Sequence, residues 1–240
     1  MSETLLFRQD AYRREARARV LGLTEEGGII PDQSVFYPQG GGQPGDSGTI
    51  EWAGGHISIA LALKGDGEAV ILVPAEPAPL PPIGAEIRQR IDWDRRYAHM
   101  RIHTALHILS VVIPLPVTGG QVGVEKGRLD FDMPHAPANV EMLEAQLNNL
   151  ISRDLPVNDD WITDAELAAN PGLVKTMSVA PPVGQGRVRL IRIGSGTAEI
   201  DLQPCGGTHV ARTGEIGPVR IGKIEKKGRQ NRRVHLHLGA

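Results

Sequence analysis

The sequence predicts an α+β protein in which a small antiparallel β module, residues 1–88, precedes a mixed α+β domain, residues 89–240. Three observations support this prediction. Glycine and proline are abundant, with 29 and 18 residues, while aromatic residues make up only 4% of the chain. This balance favours turns and short strands over a helical bundle. Short apolar runs dominate the first part of the chain, and apolar residues at helical spacing follow only after a proline-rich stretch.

The N-terminal module contains short apolar runs separated by glycines between Ile29 and Val73, among them SVFYP, GTIEW and EAVILV. Runs of this length bounded by turn residues are typical of antiparallel strands. The next segment, PAEPAPLPP from Pro74 to Pro82, cannot lie inside a strand or helix because proline lacks a backbone N–H. We expect this segment to be a linker or a turn between the two modules.

The second module combines helices and strands. Apolar residues at helical spacing predict a long helix over Arg95–Val112, which Pro114 ends. Asn139 is a suitable N-cap for a second helix, and a capping-box pattern, Thr163 with Glu166, predicts a short third one. Alternating patterns then predict two strands, RVRLIRI over Arg187–Ile193 and RVHLHL over Arg233–Leu238.

Charge and cysteine content limit the class of protein. The net charge is −2, but the segment from Arg212 to Ala240 carries +6, which leaves −8 on the remainder. This asymmetry favours an anionic partner on one side, although a solvated pair of surface strands would have the same composition. The single cysteine excludes an internal disulfide framework. Without a membrane-spanning apolar run or an apolar signal core, the chain is expected in the cytoplasm with no membrane partner.

Two short motifs carry candidate metal ligands. The first, HTALH, places His103 and His107 on one face of the predicted long helix, about one turn apart. Two imidazoles at this spacing can bind one ion, but two polar positions on an exposed helix would look the same. The motif alone is therefore a weak indication of a metal site.

The second motif, PCGGTH, places Cys205, the only cysteine of the chain, four residues before His209. The two glycines between them permit a tight turn that can direct both side chains to one centre. Together the two motifs offer three nitrogens and one sulfur, which is a suitable set for one tetrahedral Zn²⁺ per chain. The alternative interpretation of Cys205 is a small buried apolar residue.

Several other metal chemistries do not match these motifs. HTALH has no glutamate between its histidines, so it is not the HExxH motif of a metalloprotease. The HxE…PCxxC pattern of the zinc deaminases is also missing. A structural zinc finger uses closely spaced ligand pairs on a very small fold. The remaining interpretation is a metal site for recognition or Lewis-acid chemistry in a larger pocket.

HTALH and DLQPCGGTHV resemble the paired zinc motifs of the alanyl-tRNA editing domain, which occurs inside alanyl-tRNA synthetase and in the free-standing AlaX proteins. The resemblance spans roughly residues 5 to 238. Further segments resemble the family in order: FYPQGGGQPGDSG, IDWDRRYAHMRIHTALHIL, GRLDFDM and KIEKKGRQNRRV. They indicate the longer, free-standing, two-domain type. The resemblance implies that the first module is a small β-barrel and that the second is a zinc-binding editing domain.

The resemblance also implies a reaction, namely hydrolysis of the ester that joins serine to mischarged alanine tRNA, with glycine as a second candidate. Gln121 matches a pocket glutamine of the family and is a candidate catalytic residue. The synthetase version often has a threonine just before the second zinc histidine, where this chain has Leu106. Thr104, as a catalytic hydroxyl, or Thr118, as a substrate-binding one, is a candidate replacement.

The remaining candidate residues lie in two groups. The glycine-rich motif, Gly40, Gly41, Gly42 and Gln43, is implied by the resemblance to help distinguish serine from alanine, although its glycines could equally shape a barrel corner. It lacks the GK[ST] ending of a P-loop, so no nucleoside triphosphate is expected. The candidate tRNA-binding residues are Lys226, Lys227, Arg229, Arg232 and Arg233.

Two other functions fit the same residues. One is a non-catalytic RNA-binding module with a structural zinc ion, and the other is a zinc hydrolase of small esters or amides with no RNA partner.

Overall fold

The chain folds as two units, Met1–Tyr97 and Ala98–Ala240, in a computed structural model that describes residues 4–177 and 186–239. The first unit is a closed six-stranded barrel with the strand order β1-β2-β5-β4-β3-β6. A short helix, α1 (Leu6–Gln9), precedes it. The strands are β1 (Glu15–Leu23), β2 (Ile29–Pro31), β3 (Gly48–Trp52), β4 (Gly55–Lys64), β5 (Val70–Pro74) and β6 (Glu86–Ile91). The β-barrel expected for the N-terminal module is therefore confirmed.

Apolar side chains at every second position of the strands fill the barrel interior. In β1 the sequence EARARV directs Ala16, Ala18 and Val20 inward and leaves the charged residues between them exposed. The barrel closes where β1 pairs with β6, from Glu15 opposite Arg90 to Arg19 opposite Glu86. Closure removes the two open edges that a flat sheet of these six described strands would have.

The proline-rich stretch lies inside this unit: Pro74 is the last residue of β5, and residues 75–82 lie between β5 and β6. The prediction of a linker or turn between modules is wrong for this stretch. Proline ends a strand because it cannot donate a ladder hydrogen bond, but it does not decide whether the next strand returns to the same sheet. Residue 88, where the first module was expected to end, lies within β6.

The second unit is a mixed α+β structure with two antiparallel sheets, as expected. The α-helices described for it are α2 (Trp93–Val112), whose first five residues belong to the first unit, α3 (Val140–Ser152) and α4 (Asp164–Ala169). One sheet has the order β12-β13-β8-β7 and the other β11-β10-β9. The strands are β7 (Val117–Gln121), β8 (Lys126–Asp132), β9 (Val157–Thr163), β10 (Arg187–Ile193), β11 (Asp201–Pro204), β12 (Val219–Lys226) and β13 (Asn231–Leu238). Within the described ranges, no helix has the length and apolar composition that crossing a membrane requires.

Local signals in the sequence correspond to these elements. The Asn139 side chain accepts a hydrogen bond from Met142 N at 2.8 Å and caps α3, and the capping box of Thr163 and Glu166 begins α4. The predictions for both helix starts and for the strand Arg187–Ile193 are confirmed. The long helix begins two residues earlier than predicted, at Trp93.

A glycine lets α2 lie close to the four-stranded sheet. A Cβ atom at Gly127, on β8, would lie 2.6 Å from Cγ2 of Ile102 and 3.0 Å from Cδ1 of Leu106. Both side chains are buried on α2. Because only glycine fits this contact without displacing them, the sequence of β8 fixes the distance between sheet and helix. That helix carries both histidines of HTALH.

Candidate metal centre

His103 and His107 lie side by side on α2, with ring centroids 5.4 Å apart, and each is about 7% exposed. Their spacing of four residues places them on one helical face. The apolar residues between and around them, Ile102, Leu106 and Ile108, are buried. The HTALH histidines are therefore not positions on an exposed polar helix face.

Cys205 and His209 flank a turn that directly follows β11. The guanidinium of Arg189, on the neighbouring strand β10, donates to the carbonyl oxygens of Cys205 and Gly207 at 3.0 and 2.8 Å. Asp159 holds this guanidinium from its other side, with hydrogen bonds at 3.0 and 2.6 Å. The planar fork of arginine can serve both partners at once, so it fixes the turn that presents the thiol.

Three histidines and one cysteine meet at one point, and we call His103, His107, Cys205 and His209 the four-ligand cluster. Their ligand atoms all lie within 4.8 Å of one another. The Cys205 sulfur lies 3.5 Å from His103 Nε2 and 3.3 Å from His209 Nε2. A tetrahedral zinc site with ordinary Zn–S and Zn–N bond lengths has S···N separations of about 3.5 Å. The spacing of the donors thus fits a tetrahedral metal ion.

Hydrogen bonds fix two of the imidazole rings so that Nε2 faces the cluster. His107 Nδ1 lies 3.0 Å from a carboxylate oxygen of Asp201. An ionised carboxylate has no proton to donate, so this oxygen accepts the proton on Nδ1. The Thr104 hydroxyl donates to the Met100 carbonyl at 2.9 Å and lies 3.1 Å from His209 Nδ1. Its own proton is therefore used, and its oxygen accepts the proton of His209. In both rings Nε2 is left as the metal ligand.

The electrostatics of the cluster favour a thiolate at Cys205 and a neutral imidazole at His209, but they also favour a proton on His107 that a metal ion would have to displace. Burial alone would raise the pKa of the Cys205 thiol, but interactions with the neighbouring histidines, above all His103, hold that pKa well below its usual value. Burial and the charge of His103 lower the pKa of His209 to about 3. Burial also opposes protonation of His107, but its hydrogen bonds to Asp201 and Cys205 raise its pKa to about 9. A thiolate beside neutral imidazole is the state that binds a metal ion, and binding displaces the protons that remain.

Sequence analysis missed the residues behind the ligands. Asp201 and Gln203 lie on β11, four and two positions before Cys205, and their side chains are buried. The period of two along a strand places these positions on the same face as the cysteine, a signal that was present in DLQPC. Lys175, which forms an ion pair with Asp201, has no local signal because it belongs to an irregular segment.

Thr104 is the one predicted site residue outside the four ligands that contacts a member of the cluster, among the contacts described for these residues. Gln121 is exposed at the end of β7, and its side-chain oxygen accepts a hydrogen bond from Arg128 Nε at 3.2 Å. The Thr118 hydroxyl donates to the Asp130 carbonyl at 3.1 Å. These contacts place Gln121 and Thr118 on the four-stranded sheet.

The glycine-rich motif forms a tight turn in the first unit. Gly40 and Gln43 exchange two backbone hydrogen bonds, at 3.1 and 3.0 Å. Gly41 and Gly42 lie between them with φ values of 57° and 79°. Two successive positive φ values are typical of a type I′ turn, which explains why glycine stands at both positions. Gln43 is buried, and only about 1% of it is exposed.

The five basic residues predicted to bind tRNA lie in two different settings. Lys226, Lys227 and Arg229 are exposed around the turn between β12 and β13, where Lys227 pairs with Glu225 at 2.7 Å. Arg232 is buried and donates to the carbonyl oxygens of Gly228, Asn231 and Pro134. Arg233 donates to both carboxylate oxygens of Asp130, at 2.8 and 2.9 Å. Arg232 and Arg233 already bind partners within the protein. Contact of Arg232 and Arg233 with tRNA stays a prediction.

Comparison with known proteins agrees with the site. Residues 188–235, which include Cys205 and His209, match the second additional domain of threonyl- and alanyl-tRNA synthetases. This match relates the stretch that carries Cys205 and His209 to the class of proteins with this synthetase domain.

Full-length relatives narrow the class. The chain is 34% identical over 248 residues to the alanyl-tRNA editing protein AlaX-M of Methanosarcina acetivorans, and this alignment covers 99% of both chains. It is 33% identical to AlaX-M of Methanosarcina barkeri, again over 99% of both chains. Alanine–tRNA ligase of Pyrobaculum neutrophilum is 34% identical over 92% of this chain, which spans only 25% of that enzyme. The chain belongs to the AlaX-M family of alanyl-tRNA editing proteins.

Proposed function

We propose that this protein is a zinc-dependent trans-editing hydrolase that deacylates mischarged tRNA(Ala), chiefly Ser-tRNA(Ala), with Gly-tRNA(Ala) as a second candidate. The observation that carries the proposal is the four-ligand cluster in a chain that is similar to AlaX-M proteins over its whole length. An aminoacyl ester on tRNA is the bond that such a protein would hydrolyse. The second unit, which holds the cluster, would be the editing domain.

The donor set supports zinc as the metal. Three imidazoles and one thiolate suit zinc, whereas magnesium and calcium prefer oxygen ligands. When bound, Zn²⁺ supplies Lewis-acid polarisation and a fixed positive charge close to the ester. Because four protein ligands already complete a tetrahedron, we infer that the cluster orients and polarises the substrate at least as much as it activates water.

The chain's own residues prepare this centre. Asp201 and Thr104 accept the Nδ1 protons of His107 and His209, and so they hold each Nε2 toward the cluster. We therefore interpret Thr104 as a positioning residue, in place of the catalytic hydroxyl expected from the sequence. Gln121 and Thr118 stay candidates for substrate contact, since their polar side chains suit an aminoacyl group. The three histidines are buried while Cys205 is partly exposed, and low exposure on the histidine side strengthens the charge interactions there.

The proposed selectivity follows from the chemistry of the two amino acids. Serine has one hydroxyl more than alanine, and a synthetic site that accepts alanine rejects such a neighbour only weakly by binding. A second, hydrolytic site can instead require a partner for that hydroxyl. Alanine would then leave a buried polar group without a hydrogen bond, which costs about 1–3 kcal/mol. The glycine-rich motif, Gly40 to Gln43, is our candidate for a part of this discrimination.

Binding of tRNA would use the exposed basic turn between β12 and β13. Lys226, Lys227 and Arg229 extend into solvent there, as phosphate contacts require. Such contacts would position the tRNA without selecting its sequence.

A direct experiment tests the proposal. Purified protein is assayed for release of free amino acid from Ser-, Gly- and Ala-tRNA(Ala), while bound zinc is measured in the same samples. We expect rapid release of serine, slow release of alanine, and loss of activity in step with zinc after treatment with a chelator.

The alternatives give different results in the same assay. A non-catalytic RNA-binding module with a structural zinc ion would bind tRNA without releasing serine. A hydrolase of small esters would cleave model esters, and uncharged tRNA would not compete.

A further inference from the structure

A buried carboxylate behind the four-ligand cluster has three partners from three parts of the second unit. Asp201 accepts hydrogen bonds from His107 Nδ1 at 3.0 Å and from Gln203 Nε2 at 2.8 Å. Its other oxygen forms an ion pair with the Lys175 ammonium. The Asp201 side chain is completely buried, while that of Lys175 is 28% exposed.

We propose that Asp201 is the positioning residue for His107 and that Lys175 holds Asp201 in place, so that retention of the metal depends on the segment Val174–Met177. The inference rests on the proposed function, because it requires a metal ion in the four-ligand cluster. It goes beyond that function by assigning roles to three residues outside the cluster, Asp201, Gln203 and Lys175.

The three donors leave Asp201 little freedom. A carboxylate with no exposed surface is stable only when its oxygens accept enough hydrogen bonds or face a positive charge. Gln203 also donates to the Ser110 hydroxyl at 3.3 Å, and Ser110 donates to the His107 carbonyl at 2.7 Å. The network therefore joins β11 to the turn of α2 that bears His107. A ligand ring oriented in this way binds its metal more tightly.

The segment that carries Lys175 is held at both ends. Val117 N, at the start of β7, donates to the Lys175 carbonyl at 2.9 Å, and Met177 N donates to the Val117 carbonyl at 2.8 Å. On the other side, Leu173 and Val174 pack against an apolar group that includes Leu167. These contacts fix the backbone of Lys175, so that its long side chain can reach one buried carboxylate with little further loss of conformational freedom.

A charged contact in this position has a definite consequence. Removing Lys175 would leave Asp201 buried without the ammonium that faces its Oδ1, and breaking a buried pair costs more than losing an exposed one. The carboxylate would then be less firmly placed, and His107 would lose part of its orientation. The effect should appear as faster release of the metal while the ligand set itself stays complete.

The test measures metal retention directly. The full chain is loaded with Co²⁺, and the visible spectrum and the rate of Co²⁺ release to a chelator are recorded for wild type, Asp201→Asn, Lys175→Met and Lys175→Arg. We expect release to be about 10–100-fold faster in Asp201→Asn and faster by a smaller factor in Lys175→Met. Lys175→Arg should restore most of the retention, because it keeps the positive charge.

A matched control shows whether the effect of Asp201→Asn comes from the place of this carboxylate or only from the loss of one negative charge. Asp160→Asn removes an aspartate that forms an exposed ion pair with Arg192 on the same sheet, and it should release Co²⁺ at the wild-type rate. Melting temperatures of the metal-free variants are measured alongside. Should Asp201→Asn fail to fold, Lys175→Met carries the test, since its side chain is partly exposed.

The outcomes are distinct. Wild-type release rates and unchanged spectra in both Asp201→Asn and Lys175→Met would overturn this inference and leave the proposed function intact. A wild-type chain that retains neither Co²⁺ nor Zn²⁺ would overturn both. Faster release in both variants, with unchanged melting of the metal-free protein, would support the inference.

Discussion

The Thr104 hydroxyl lies 3.1 Å from His209 Nδ1 and gives its own proton to the Met100 carbonyl at 2.9 Å. These two distances decide the direction of the hydrogen bond between Thr104 and His209, because a hydroxyl that already donates its proton can only accept from the imidazole. The same oxygen lies 3.3 Å from the backbone N–H of Val210. One buried threonine on α2 thus fixes both the ring of His209 and the chain that follows it.

The first prediction concerns this contact. Thr104→Ala removes the acceptor for the His209 proton and leaves the Val210 N–H without its partner, so we expect zinc affinity to fall about 10–100-fold. Thr104→Ser keeps the oxygen and should stay within a few-fold of wild type. Competition with a coloured zinc chelator measures both. Equal affinity in all three proteins would show that the contact does not orient the ligand.

The second prediction uses the single cysteine of the chain. Cys205→Ser replaces the thiolate with a hydroxyl that binds zinc poorly, so bound zinc should fall well below one ion per chain and deacylation of Ser-tRNA(Ala) should be lost. Undiminished turnover together with wild-type zinc content would contradict the proposed mechanism.

The wild-type protein provides the matching control. Because Cys205 is the only cysteine, a thiol reagent reports on this residue alone. It should react slowly while zinc is bound and quickly after zinc is removed with a chelator. Equal reaction rates in both states would mean that the sulfur is not a ligand.

Much of this site could be predicted from the sequence, because its ligands lie in two local patterns. The spacing of His103 and His107 on a helix, and of Cys205 and His209 around two glycines, is set by backbone geometry over five residues. Convergence of the two pairs depends on contacts between distant segments, such as the hydrogen bond from Val210 N to the Thr104 hydroxyl. Spacing alone left that convergence open, and the family resemblance implied it.

The residues that sequence analysis missed owe their roles to tertiary contacts. Lys175 reaches Asp201 across 26 positions, and no period or motif connects them. Arg232 and Arg233 were grouped with the exposed lysines because composition does not distinguish a guanidinium in solvent from one bonded to carbonyls or to Asp130. The prediction that the proline-rich stretch links two modules was wrong for a related reason, because strand pairing in the barrel is decided by residues far apart in the sequence.

The third prediction concerns the pH dependence of stability. Burial alone would raise the pKa of the Asp130 carboxyl, but hydrogen bonds from Arg233 and Arg128 outweigh it and lower the pKa below 3.8. Because the folded-state value is the lower one, these contacts stabilise the fold above pH 3.8, and this contribution is lost as the pH falls through the folded-state pKa. Asp130→Asn should therefore be less stable than wild type at neutral pH.

Denaturant unfolding at several pH values measures this effect. The difference in unfolding free energy between wild type and Asp130→Asn should be constant from neutral pH to about pH 5 and should shrink at lower pH. Asp160→Asn removes a more exposed ion pair and should show a smaller difference at neutral pH. A difference that does not change with pH would mean that the Asp130 charge does not stabilise the fold.

The fourth prediction separates the two interpretations of the glycine-rich motif. Gly41 has a φ of 57°, which asparagine tolerates, and a Cβ atom there would meet no atom within 4 Å. Gly41→Asn therefore adds a side chain while keeping the turn. If the motif discriminates between amino acids, the ratio of Ser- to Ala-tRNA(Ala) deacylation should fall several-fold with little change in melting temperature. An unchanged ratio would leave the motif with the structural role of a barrel turn.

The fifth prediction concerns the exposed turn between β12 and β13. If Lys226 and Arg229 contact phosphates, replacing either with glutamine should weaken tRNA binding and reduce the slope of log affinity against log salt by about 1. Arg19→Gln removes the same charge from an exposed ion pair on the barrel and is the control for a change in net charge alone. Filter binding over a range of salt concentrations gives both quantities. Because counterion release depends on phosphates actually contacted, a loss of affinity with an unchanged slope would place the tRNA elsewhere on the protein.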